Sequence, residues 1–559
     1  MEESTGQSRY WTVFAFVTVS LILTAALFWA LSHPFGIHWD EAEYINQSLV
    51  DTHRLQHGAL YKLAGRILKS GVRPPAYRVL ALPFFVVFGF HTILARVVTL
   101  AWFALSSWFL FLATRRIAGP VAGALAVLVF CLSPEVIAAS AFYSTEGPLY
   151  LATSAMFYFL FACWTETSDS ARNWIGLGLA AGIGFVAKAS FIAVALPLIP
   201  FWIVECRRKL LPAASLMSLL KAGCLAAVIA GPWWLLNLRL AIAGTRMARE
   251  FSRDSLGPPS LLTWMRWLNT VTQSLLGLGV SLVIALILIA AIRKVLIKKQ
   301  RILDPLQGVA LGACVCAGLP LVLAQLSGTN HLLRHISPAV IPLAIAVGVL
   351  AAQAGWASSR GAVAASTALM CAQLLLIVGP VVFPNRHLVE SGFVNGDLPW
   401  RVLARLDQWD WRPVLAISDS CGVAAPRISY LGGGRAFNKP QIEFPWMAKP
   451  SSTGSVAIDT PDVKRLWHFE EGPLDWQKVM DEAAQSDLVL TAPGYVGELD
   501  NKEDEDNQYD AEFAARLSRD PRFRGPIRLQ MGRFEPVQVA VFLNNTLRCP
   551  SGLASTAVR

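Results

Sequence analysis

The chain of 559 residues is 54% hydrophobic and 15% charged, whereas soluble globular proteins are about a quarter charged. A single soluble domain is excluded, and apolar runs of about 20 residues, each able to cross a bilayer, make this a multi-pass membrane protein. Residues 1–385 carry 28 Lys+Arg against 14 Asp+Glu, and residues 386–559 carry 20 against 24; the positive part is the hydrophobic part, so its charge reads as membrane-flanking and lipid-contacting rather than as a nucleic-acid footprint.

In chain order, the run Trp11 to Leu31 is longer than a signal-peptide core and predicts an uncleaved first span. The stretch Ala76 to Phe90 contains Arg78 and Pro83 and is too short to cross, so it is expected to be re-entrant or to lie in the outer interface. Further spans are expected at 94–114, 121–140, 147–164, 174–187, 190–204, 216–236, 270–292, 306–326, 337–355 and 361–383, about eleven in all. Arg115–Arg116, Arg207–Arg208–Lys209 and the cluster from Arg293 to Arg301 then fall on one side, expected to be cytoplasmic. The N-terminus shares that side, and loops 32–93, 141–146, 237–269 and 327–336 lie opposite with residues 386–559.

From residue 386 the sequence turns mixed and polar. Strand-like runs at 413–418, 487–491 and 537–543, with helix-like patterns at 473–485 and 508–518, predict a small extracytoplasmic α/β domain following a transmembrane domain of residues 1–385. Gly432–Gly433–Gly434 reads as a tight turn and Glu498 to Asp506 as a solvated loop. Seven cysteines lie in or beside apolar runs as small hydrophobes, while Cys421 and Cys549 are able to pair if the domain is extracytoplasmic. No repeat is visible, which disfavours the duplicated halves common in transporters.

Directly after the first span comes His38-Trp39-Asp40-Glu41-Ala42-Glu43-Tyr44, with three carboxylates in four residues. A charge costs about 2.5 to 3.5 kcal/mol at the bilayer centre, so these belong at or outside the interface, as a solvated turn or as acid–base groups. His53 and His57, at i and i+4, lack a nearby third ligand and read as an amphipathic surface helix rather than a metal site.

Asp40-Glu41-Ala42-Glu43-Tyr44, Arg73-Pro74-Pro75-Ala76-Tyr77, Tyr143-Ser144-Thr145-Glu146-Gly147-Pro148-Leu149, Val186-Ala187-Lys188, Gly231-Pro232-Trp233-Trp234 and His331-Leu332-Leu333-Arg334-His335 with Pro338 occur in that order. Together they resemble the GT-C class of polyprenyl-phosphate-sugar-dependent glycosyltransferases, in its protein mannosyltransferase and aminoarabinose transferase branch (family 39/83 type). The resemblance covers most of residues 10–385. It implies a helical membrane domain with interfacial helices in the first outer loop, and an enzyme that passes a sugar, with inversion, from a polyprenyl-phosphate carrier to an extracytoplasmic glycan, lipid or protein at the plasma (inner) membrane.

The same resemblance assigns roles. Asp40 and Glu41 stand at the acidic pair of the first loop, Asp40 as base and Glu41 as an orienting or metal-coordinating neighbour. Glu146 is the second-loop acid, with an alternative reading as the acidic start of a helix. Lys69, Arg73, Lys188, Arg246, Arg249, Arg334 and His331 are candidates to meet the lipid phosphate, a charge that must be neutralised as the glycosidic bond breaks. The aminoarabinose branch has an arginine where this chain has Glu43, and some members use a divalent cation. A transporter or lipid flippase, or an inactive GT-C scaffold, are the competing readings.

Overall fold

The computed structural model describes residues 2–32, 39–166, 170–250, 260–298, 304–327, 331–356, 359–382, 398, 409–433, 437–448, 460–467, 473–495, 507–531 and 537–550. They form two compact units: Met1–Ser32, Ala64–Pro83 and Ile93–Arg401 in one, and His33–Leu63, Phe84–Thr92 and Val402–Arg559 in the other.

The first unit is a helical body. Among the described residues, eight helices are long and apolar enough to cross a membrane, and a ninth crossing results if the bent pair Pro120–Cys131 and Pro134–Ala141 counts as one span. The remaining expected spans form shorter helices, Ala171–Phe185 for 174–187, and Phe191–Ala195 with Leu198–Arg207 for 190–204. The helices are α1 (Glu2–Ser32), α2 (Trp39–Gln56), α3 (Leu60–Leu68), α4 (Ala76–Phe88), α5 (Thr92–Ala118), α6 (Pro120–Cys131), α7 (Pro134–Ala141), α8 (Glu146–Thr165), α9 (Ala171–Phe185), α10 (Phe191–Ala195), α11 (Leu198–Arg207) and α12 (Ala214–Glu250). They continue as α13 (Leu261–Thr270), α14 (Leu278–Lys298), α15 (Pro305–Ser327), α16 (Val340–Ala354) and α17 (Arg360–Val382). Helix α2, part of α3 and the end of α4 belong to the second unit.

Every residue of α6 from Ala122 to Cys131 is buried, as expected of a helix that is apolar on all sides, and it packs between α1 and α16. The chain bends by 67° between α6 and α7, where Pro134 opens the new helix and holds the preceding Ser133 extended. Helix α9 rests on α8 and α12. A Cβ on Gly178 would lie 2.9 Å from the Ala222 carbonyl, and one on Gly182 the same distance from Ile229, so the two backbones meet through glycine. By contrast Val228 and Leu235 of α12 point outward, the surface that lipid would cover.

One expectation needs correction here. The helix that begins with the expected span 216–236 runs through Pro232 to Glu250, and α13 follows, so much of the expected loop 237–269 is helical. The short Ala76–Phe88 helix has 13 residues, less than a crossing needs.

The C-terminal part of the second unit is a five-stranded sheet in the order β2-β1-β3-β5-β4, with β1 (Arg427–Tyr430), β2 (Asp462–Arg465), β3 (Leu488–Thr491), β4 (Phe523–Met531) and β5 (Val537–Asn544). The first three pair in parallel, and β5 joins β3 and β4 antiparallel. Helices α18 (Arg412–Ser420), α19 (Lys439–Ala448), α20 (Trp476–Ala483) and α21 (Asp510–Arg519) complete it. Buried cores of Trp411, Ile428, Phe437 and Val541, and of Val489, Phe513 and Phe542, lie on the two faces. The expected strand 413–418 is instead α18: Pro413 suits a first helical turn, and Val414, Ile417 and Ser418 are the buried residues, a spacing of three and four that belongs to a helix. Strands at 487–491 and 537–543 and helices within 473–485 and 508–518 are observed. Cys421 and Cys549 form a disulfide spanning 128 residues; the other seven cysteines are free. The run 498–506 and Gly434 lie outside the described residues.

Candidate active site

In the first unit, motifs that are far apart in sequence are tied together by hydrogen bonds. Trp233 Nε1 donates to Ser70 Oγ at 2.7 Å, and Trp234 Nε1 donates to the Phe185 carbonyl at 3.0 Å. Asn237, one turn after Trp233, donates from Nδ2 to the Leu68 carbonyl at 2.6 Å and accepts from the Gly71 N–H at 3.0 Å. The Ala76 N–H donates to the Val186 carbonyl at 2.9 Å, and the Tyr143 hydroxyl to the Tyr77 carbonyl at 3.1 Å. The Arg73-to-Tyr77 stretch is thereby fixed against the segments carrying Lys188 and Glu146. Ser70 and Asn237 belong to none of the motifs; their signal was only their place beside two of them.

The charged centre of this unit stands at the first residue of α8. Glu146 Oε1 pairs with Lys188 Nζ at 2.5 Å, the two side chains being 6% and 17% exposed. The Thr145 hydroxyl donates to Glu146 Oε2 at 3.1 Å, and the Arg334 guanidinium lies within electrostatic reach of the same carboxylate. One turn along α8, the Tyr150 hydroxyl donates to Ser337 Oγ at 2.6 Å, and Ser337 in turn donates to the Arg334 carbonyl at 3.0 Å. Glu135, at the start of α7, is buried nearby and acts on Tyr150 electrostatically. Of the expected residues the fold thus joins Glu146, Lys188 and Arg334, while His331 is buried three residues before Arg334. Tyr150 and Ser337 are additions that the sequence did not single out.

The other end of α8 holds a second polar cluster. Arg116 pairs with Glu166 and donates from Nε to Thr165 Oγ1 at 2.6 Å. A 20-residue helix is about 30 Å long, so the Glu146 cluster and the Arg115–Arg116 edge occupy opposite ends of the body.

The remaining cations are dispersed. Lys69 and Arg246 are exposed at the end of α3 and on α12, Arg73 is half-buried, and the side chain of Arg249 lies outside the described residues. In the second unit Asp40 and Glu41 open α2, where acids suit the positive end of the helix dipole; both are buried, as are Asn46 and Asp51 on the same helix. The rings of His53 and His57 lie 4.1 Å apart at its last turn. Among the described residues no three His, Cys, Asp or Glu side chains converge to hold a metal ion.

Residues 72–235 match the family model of dolichyl-phosphate-mannose-protein mannosyltransferase, a stretch that contains Arg73, Glu146, Lys188 and Trp233 and starts after Asp40 and Glu41. No curated protein matches the chain. Two crystal structures share its fold. ArnT from Cupriavidus metallidurans bound to undecaprenyl phosphate aligns at 14% identity with a TM-score of 0.55, over 98% of this chain and 99% of that one. ArnT from the same organism in the apo state aligns at 13% identity with a TM-score of 0.53, over 96% and 98%. The chain therefore has the GT-C fold, a polytopic helical body with a small α/β domain at its end. The stretch 72–235 adds a likeness to the protein mannosyltransferase family, the branch that the motifs resemble.

Proposed function

We propose that this protein is a glycosyltransferase that takes a sugar from a polyprenyl-phosphate carrier and passes it, with inversion, to an extracytoplasmic acceptor. The observation that carries the reading is the cluster of buried Glu146 with half-buried Lys188 and Arg334 at the end of α8 remote from the Arg115–Arg116 edge. If that basic edge is cytoplasmic, the cluster opens to the outer leaflet, where a lipid-linked donor would present its phosphate. The Cys421–Cys549 disulfide supports the same sidedness, because such bonds persist in oxidising compartments.

In this reading the acceptor oxygen attacks the anomeric carbon as the bond from that carbon to the phosphate oxygen breaks. The acceptor proton passes to Asp40 as general base, and the electron pair of the broken bond leaves on the lipid phosphate. Arg334 and Lys188 stabilise that negative charge, Arg334 through a planar fork suited to two phosphate oxygens. Glu146 holds Lys188 in place until the phosphate arrives, and Glu41 orients the acceptor. A transporter would carry its charged groups in mid-span or in a repeated half, whereas Glu146 and Lys188 stand at helix ends.

The test is transfer of radiolabelled sugar from a panel of polyprenyl-phosphate sugars by the purified protein in liposomes containing cell-envelope acceptors. One donor is expected to be consumed, and Asp40→Asn, which keeps the size of the side chain but removes the base, is expected to lose on the order of a hundredfold or more. Consumption of no donor by folded wild type would sink the enzymatic reading. Equal activity of the two proteins would remove the base from Asp40.

A further inference from the structure

Within the second unit, the helix that carries Asp40 and Glu41 is docked on the C-terminal domain. Helix α2 packs along α19, and Asn46 Nδ2 donates to the Pro440 carbonyl at 3.0 Å. Asn46 is buried, and the bond is partly so. Asn46 lies three residues after Glu43 and Gln47 four, so the three share one side of α2, with Asp40 one turn before Glu43. On that face Gln47 Nε2 donates to Glu43 Oε1 at 2.9 Å. Glu43 lies within electrostatic reach of Glu443, one turn along α19 from Pro440. Two carboxylates thus lie within electrostatic reach across the two helices, with Asp462 of β2 adding a third negative charge and Lys439, whose Nζ is 3.5 Å from Glu443 Oε1, the opposing cation.

From this geometry we propose that α19 is the seat of the catalytic helix: Asn46 and Glu443 are positioning residues that fix Asp40 through α2, and the C-terminal domain is thereby a working part of the active site. The inference rests on Asp40 being the base. It also gives the seat a dependence on protonation. Burial pushes the Glu443 carboxyl up to about 7, with Glu43 and Asp462 adding to the rise and Lys439 opposing it. Below about pH 7, then, Glu443 is mostly protonated, and raising the pH through that value puts its negative charge opposite α2.

The experiment follows α2 by hydrogen–deuterium exchange of peptides within residues 39–56, and sugar transfer by the same full-length preparations, between about pH 6 and pH 9. In wild type, protection of α2 and kcat are expected to fall together as pH rises through about 7, with the donor KM unchanged. Glu443→Gln, uncharged at every pH and equal in size, is expected to abolish that dependence. Asn46→Ala is expected to lower kcat about fivefold, the effect of losing one hydrogen bond, again at unchanged donor KM, and Asn46→Gln to restore part of the loss. Wild-type α2 protection that ignores pH, or an Asn46→Ala effect confined to KM, would overturn the seat. The two readings fail separately. If α2 protection responds to both variants while wild type transfers no sugar, the seat stands and the enzymatic function falls. If transfer occurs while α2 protection ignores both variants, the enzyme stands and the seat falls.

Discussion

Replacing Lys188 by methionine isolates the energy of the ion pair at the start of α8. The side chains of Lys188 and Glu146 are 17% and 6% exposed, so water screens the pair little, and removing the cation strands a buried carboxylate. Breaking a buried pair from one side costs about 3 to 5 kcal/mol. Glu146 keeps the Thr145 hydroxyl and the field of Arg334, so the lower end, about 3 kcal/mol, is expected. Glu146→Gln strands the more accessible Lys188 and is expected to cost about 2 kcal/mol. The double variant leaves no orphaned charge and is expected to cost only about 1 kcal/mol, less than either single change, because exchanging a whole buried pair for neutral groups is often close to neutral. The assay is unfolding of the purified protein in mixed micelles with rising denaturing detergent, followed by tryptophan fluorescence and read as a double-mutant cycle. Two single costs that add in the double variant to within about 0.5 kcal/mol would refute the coupling.

Other consequences can be checked separately. Burial pushes the Asp510 carboxyl up to about 6, against hydrogen bonds from the Ala492 and Gly432 N–H groups that lower it. The folded value lies above the unfolded one, so the stability that Asp510 contributes is present below about pH 4 and lost as the pH rises to about 6, about 3 kcal/mol in all; exchange protection of β3 should follow that slope in wild type and lose it in Asp510→Asn. A Cβ on Gly432 would lie 2.5 Å from Asn507 Oδ1 and 2.6 Å from Asp510 Oδ2, so Gly432→Ala is expected to destabilise the domain by about 1 to 3 kcal/mol. Gly433→Ala meets the flexible end of Arg465 and should cost less, as comparative proteolysis of the two variants would show. Reducing the Cys421–Cys549 bond opens a loop of 128 residues and is expected to cost up to about 5 kcal/mol, read as earlier loss of exchange protection in α18.

The sequence revealed most where one physical signal dominated. Long apolar runs announced the helical body, and alternation around Val539 and Val541 announced β5. Strand β4 was silent because Gly525 and Pro526 interrupt it, where the register shifts between Arg524 and Ile527, and proline inside a run argues against a strand. Residues 413–418 misled because Val414, Ile417 and the residues between them read as a short apolar run, which periodicity alone cannot divide between helix and strand. At the candidate site, Glu146, Lys188 and Arg334 were legible through their motifs. Tyr150 and Ser337 were not, since a hydroxyl pair 187 residues apart leaves no local pattern. The docking of α2 on α19 was equally hidden, because the Asn46 bond joins a side chain to a backbone carbonyl 394 residues away.

The glycine contact between α9 and α12 bears on how the chain is made. Helix α9 has only 15 residues and carries Arg172 and Asn173 in its first turn, which is short and polar for a segment that must enter the bilayer alone. Its inward face, with Gly178 and Gly182, offers a close fit to a helix synthesised some forty residues later. During synthesis α9 is therefore expected to remain at the insertion machinery until α12 emerges, and the pair to enter the lipid as a unit. Bulky replacements at Gly178 or Gly182 would then act first on the yield of inserted protein, before any effect on the finished molecule.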